Sequence, residues 1–95
     1  MAEEPIFTRR EVAEILGVVP LTISNREKNG KYPEPKRDIN GYRQYMLTDI
    51  LNLQMITSSH VDTRPIMAVL YDKGYNNPQK AGKLIEKALN ELQRK

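Results

Sequence analysis

The sequence predicts a mainly α-helical fold with one short two-stranded β-hairpin and two further helices after it. Three observations predict this. Thr8 and Glu11 open an apolar-periodic segment that Gly17 stops. Pro20 opens a second segment that Gly30 stops. Asn40-Gly41 then sits in a basic stretch with strand-like alternation after it. Helix, tight turn, helix and two-stranded wing, in that order, are the pattern of a winged helix-turn-helix. The chain divides into a flexible N-terminus (1–6), this winged unit (7–56) and a helical extension that packs or dimerises (57–95).

The first helix starts within a residue of Arg9. Thr8 and Glu11 make a T-x-x-E capping box, and Phe7 and Val12 stand at hydrophobic-staple positions. Val12, Ala13, Ile15 and Leu16 form its buried face, with Glu11 and Glu14 outside. Gly17 supplies the positive φ of a helix end. The second helix begins at Pro20, where a missing N–H costs nothing. Ile23 is the large aliphatic residue well inside it, which sets the inward direction. At about 100° per residue, Leu21, Asn25 and Lys28 then point outward, with Thr22, Ser24 and Asn29 on the flanks. Arg26 lies nearer the buried side, its stem packing while its guanidinium reaches out. That outward face suits a DNA groove. Asn25 is the candidate for bidentate adenine readout and Lys28 for guanine or phosphate.

Tyr32-Pro33-Glu34-Pro35 must be extended, because two prolines forbid a helix. Lys36 to Arg43 reads as a hairpin turning on the left-handed chemistry of Asn40-Gly41. Alternation puts Tyr42 and Gln44 on one face, Arg43 and Tyr45 on the other. Lys36, Arg37 and Arg43 cluster near the tip, as a wing gripping phosphates requires.

Thr48 to Ile56 forms a third helix, packed under the first two, with Asp49 complementing its dipole. Thr57 to Asp62 is a polar connection, with His60 exposed. Thr63 caps a fourth helix that has Pro65 in its first turn and ends at Gly74. Asn77-Pro78 starts the last helix, which runs to near Lys95. Its apolar stripe is Ala81, Leu84, Ile85, Ala88, Leu89 and Leu92. Either the stripe folds back on the domain, or Leu84, Ile85, Ala88, Leu89 and Leu92 pair with a second subunit in a homodimer.

Composition narrows the function. Ninety-five residues make one small domain with a thin core, burying about 60–70 % of its unfolded surface. The net charge of +3 favours anionic partners. There is no cysteine and His60 is the sole histidine, so no metal or redox centre is expected. No cofactor and no catalytic constellation are expected either. No run of ~18 apolar residues spans a membrane, and residues 1–5 are acidic rather than signal-like. A cytoplasmic location is expected.

Phe7 to Ile56 resembles the winged-helix DNA-binding domain of the MerR family. That family tends to read hydrophobic-T-x-x-E-x-A-x-x-L-G-V, then a helix ending in Glu-x-x-Gly, then Pro, then Arg-x-x-Asn-Gly-Tyr-Arg-x-Tyr. The counterparts are Phe7 to Val18, Glu27 to Gly30, Pro33 and Arg37 to Tyr45. The resemblance implies DNA contacts by the second helix and the wing. It makes Arg43 and Tyr45 contacts to the DNA backbone and Arg37 a supporting one. The second helix departs from the family, carrying Ser24-Asn25-Arg26 where Arg-Tyr-Tyr or Arg-Tyr-Trp is common. Arg26 is the nearest replacement for the missing charge. Asn29 to Pro35 also resembles phage excisionases and small AlpA-like regulators.

The expected DNA-binding set is therefore Thr22, Ser24, Asn25, Arg26, Lys28, Lys36, Arg37, Arg43 and Tyr45. The expected function, with the resemblance implying a bacterial or phage-encoded chain, is a small, sequence-specific, non-catalytic transcriptional regulator on double-stranded DNA. An excisionase or architectural DNA-bending factor is the near alternative. A protein–protein adaptor is the distant one, docking a polymerase or recombinase on the last helix.

Overall fold

The computed structural model describes residues 5–94. These form α1 (Arg9–Leu16), α2 (Pro20–Lys28), β1 (Lys36–Arg37), β2 (Arg43–Gln44), α3 (Leu47–Ser58), α4 (Arg64–Asp72) and α5 (Pro78–Gln93). The architecture is mainly helical with a small two-stranded antiparallel sheet. Of the N-terminal segment 1–6, residues 1–4 lie outside the described residues, and Pro5 is buried.

The start of α1 follows from its capping box. Thr8 Oγ1 accepts the Glu11 N–H at 3.2 Å, and Glu11 Oε1 accepts the Thr8 N–H at 2.9 Å. Gly17 ends the helix at φ 74°, in the left-handed region where a side chain would be strained. Phe7 is fully buried and pairs with Tyr45. The Phe7 N–H donates to the Tyr45 carbonyl at 2.8 Å and the Tyr45 N–H returns the bond at 3.1 Å. The lead-in to α1 is thus stitched to the exit of the hairpin.

The hairpin turns differently from the expectation. Gly41 has a positive φ, 85°, but Asn40 does not. Asp38 takes over the second role. Its carboxylate accepts the N–H groups of Asn40 and Tyr42, each at 2.9 Å. The Gly41 N–H donates to the Asp38 carbonyl at 2.9 Å, and Arg37 Nη1 donates to the Gly41 carbonyl at 2.9 Å. With its donors satisfied by a side chain, the turn needs one left-handed residue rather than two.

Below the hairpin, α3 begins one residue earlier than expected, because Asp49 Oδ2 accepts the Met46 N–H at 2.9 Å. It runs to Ser58, two residues past the expected end at Ile56, and stops at Ser59, whose φ is 63°. It packs chiefly on α5 and also on α1. Buried Gln54 docks the following connection, bonding both backbone groups of Asp62 at 2.8 and 3.2 Å. Thr63, expected to cap α4, makes no cap bond. Asp62 Oδ1 accepts the Arg64 N–H instead, at 3.1 Å. Lys73 closes α4 onto α1, with its Nζ 3.0 Å from Glu11 Oε1 and 5.3 Å from the Phe7 ring centre. Asn77 caps α5 through Gln79 and Lys80, as its sequence predicts.

The core joins the first four helices and the lead-in to α1 through Phe7, Val12, Ile23, Ile50, Leu51, Ile66 and Leu70. Ala81, Ile85 and Ala88 of α5 are buried in it, and Leu84, Leu89 and Leu92 pack half-buried against it. The apolar stripe of α5 therefore has a cover within the chain.

Thr8→Ala should lower unfolding free energy by about 1 kcal/mol through the lost cap. Leu70→Ala should lower it by roughly 2–5 kcal/mol through the cavity left behind. Urea titration followed by far-ultraviolet circular dichroism checks both.

Candidate nucleic-acid interface

The candidate surface is built on α2 and on the hairpin that follows it. Ile23 anchors α2, and the residues opposite it face solvent. Leu21 is 65 % exposed, and Asn25 and Lys28 are exposed as well. Thr22 is half-buried on the flank. Lys36 and Arg37 are exposed on β1, the latter bracing Gly41 as described.

Glu27 lies four residues after Ile23, about 40° from the inward direction, and its side chain is 4 % exposed. A buried carboxylate needs partners, and both come from the hairpin. Arg43 Nε donates to Glu27 Oε1 at 2.8 Å, and the Tyr45 hydroxyl donates to Glu27 Oε2. Burial pushes the Tyr45 phenol well above its ordinary pKa, and the Glu27 hydrogen bond and charge push it further the same way. The last turn of α2 is thereby clamped to β2.

This clamp changes the roles expected of two residues. Arg43 and Tyr45 do share one face of the hairpin, but that face turns toward α2. Tyr45 is 1 % exposed, which removes it from the surface that a polyanion would touch. The Arg43 side chain is 22 % exposed, with its charge largely engaged by Glu27. Arg26 is likewise held. Its Nη1 donates to the Tyr32 hydroxyl at 2.6 Å, and its guanidinium carbon lies 5.4 Å from that ring's centre. The Tyr32 hydroxyl also meets Thr57 Oγ1 at 2.5 Å, so Arg26 braces the Gly30–Pro35 passage against the end of α3. Ser24 accepts a hydrogen bond from Arg9 Nη1 at 2.5 Å, which joins α1 to α2.

A cleft of about 370 Å³ opens where the start of α1, the start of α2 and the hairpin meet. Arg9, Arg10, Pro20, Tyr42 and Arg43 line it. Two helix N-termini and Arg10 border the same space, with Arg9 and Arg43 beside them already bonded to Ser24 and Glu27, an arrangement that suits an anion chiefly at Arg10. Arg9 and Arg10 were absent from the expected set. Their signal was position alone, since residues at the first turn of α1 project beside its N-terminus. The phase set by Ile23 also marks Glu27 as a buried position, although it was not among the residues expected to face inward.

Comparison with protein-family models, with curated proteins and with solved structures returns no match. The side chains themselves carry the functional reading.

The Tyr45 clamp has a pH signature. The folded chain holds the phenol neutral, whereas the unfolded chain ionises it near pH 10. The stability it contributes is therefore whole below about pH 10 and is lost as pH rises above that value. Tyr45→Phe leaves a buried Glu27 oxygen unmatched and should lose roughly 1.5–3 kcal/mol at neutral pH. It should also show a shallower fall in melting temperature between pH 9 and 11.5 than the parent chain, measured by calorimetry.

Proposed function

We propose that this chain is a winged helix-turn-helix protein, similar to the MerR family, that binds double-stranded DNA as a small non-catalytic regulator. The observation that carries the reading is the joint placement of the exposed α2 face and the basic hairpin, clamped to each other by Glu27. In this reading α2 enters the major groove with Leu21, Asn25 and Lys28 toward the base edges. Lys36 and Arg37 hold phosphates on one side, which positions the protein without specifying sequence. Arg10 and the cleft beside it take a further phosphate at the paired helix N-termini. Arg43, Tyr45 and Arg26 set the geometry from behind, and Ser24 does so through Arg9.

The architectural alternative uses the same surface and differs in how far the duplex is deformed. The adaptor alternative needs the stripe from Ala81 to Leu92 exposed. The core covers most of that stripe, so the surface on α2 and the hairpin is the better supported one.

Selection of bound molecules from random-sequence duplexes at two salt concentrations tests the proposal. Enrichment of a motif, with affinity falling steeply with salt, is the expected result. Lys36→Ala and Arg37→Ala should each weaken binding to all sequences and reduce the salt slope by about one unit. Asn25→Ala should relax base preference at one position, with a loss of roughly 1–3 kcal/mol on the preferred site. If the chain shows no salt-sensitive retention on duplex DNA, the proposal fails.

A further inference from the structure

Ile39 stands at the tip of the hairpin and is 99 % exposed, more than any other large apolar side chain among the described residues. Nothing in the core explains an isoleucine there. The turn that carries it is held firmly. The Asp38 carboxylate accepts two backbone N–H groups, the Gly41 N–H closes onto the Asp38 carbonyl, and Arg37 braces the Gly41 carbonyl. The side chain is thus presented outward on a rigid support rather than left on a floppy loop.

The surroundings identify what it would meet. Lys36 and Arg37 precede it on β1, both exposed, and Tyr42 follows it at 71 % exposure. The nearby acid, Asp38, already has its carboxylate engaged by backbone donors. An apolar tip flanked by cations complements a polyanion that offers an apolar slot. Stacked base pairs, reached through a groove lined by phosphates, have that character. The minor groove, about 6 Å wide, is too narrow for a helix but admits a single apolar side chain.

Resting on the DNA-binding reading above, we propose that Ile39 is a wedge that enters the minor groove beside the α2 contact, partly unstacks one base step and bends the duplex. The cations Lys36 and Arg37 hold the flanking phosphates while it does so. The energetic logic is that unstacking is offset by the additional protein surface that a bent duplex contacts.

The test uses the full chain and a duplex carrying a donor and an acceptor dye at its ends. The parent chain should shorten the end-to-end distance on binding. Ile39→Leu should retain the bend. Ile39→Ser should lose most of it and bind several-fold more weakly, with an unchanged salt slope because no cation is removed. Ile39 makes no buried contact, so Ile39→Ser leaves the fold intact; equal melting temperatures confirm this. A parent complex with a straight duplex overturns the wedge and leaves DNA binding standing. So does an Ile39→Ser complex bent as much as the parent one. No salt-sensitive binding by the parent chain overturns the DNA reading and the wedge together.

Discussion

The structure depends on one buried carboxylate. Glu27 closes the inner face of α2 and takes a charged partner and a neutral one from the hairpin, Arg43 and Tyr45. Removing either partner leaves a carboxylate out of water with an oxygen unmatched, which is far costlier than never burying it. The clamp therefore fixes the hairpin's angle to α2. Because alternate strand residues face opposite ways, turning Arg43 and Tyr45 inward frees their neighbours to face solvent. The stitching of Phe7 to Tyr45 extends the same restraint to the start of α1.

A domain of this size buries too little apolar surface to hold irregular segments by packing alone. Polar braces do part of that work. Arg26 and Tyr32 secure the proline-bearing passage, Gln54 secures the connection before α4, and Lys73 ties α4 to Glu11. Several basic residues of the N-terminal half are thus structural. Positive charge on the outer surface of that half comes from another group, Arg10, Lys28, Lys31, Lys36 and Arg37, which are exposed. The site divides into residues that hold the surface and residues that form it.

Much of the fold was legible because its signals are local. The Thr8–Glu11 capping box, Gly17, Pro20 and the Asn77-Pro78 start act within a few residues, and each element begins or ends where they stand. The turn of the hairpin and the start of α4 were misread for one reason. In both, an aspartate side chain, Asp38 or Asp62, supplied the bonds assigned to a neighbour. The site was less legible because pairing across the chain has no local signature. Arg43 and Glu27 are 16 positions apart and Arg9 and Ser24 are 15 apart, so only the folded arrangement reveals which arginines are engaged. The stripe of α5 was clear as a stripe, but periodicity states that a face is covered and not by what. Here α3 and α4 pack against it.

The most direct test of a DNA surface made by α2 and the clamped hairpin is to map amide chemical shifts while a duplex is titrated in. The account predicts that shifts concentrate at Leu21, Asn25, Lys28 and residues 36–42, with Arg10 joining them. The outer face of α5, around Lys83, Glu86 and Asn90, should stay still. Shifts centred on that α5 face, with α2 and the hairpin unmoved, would contradict it.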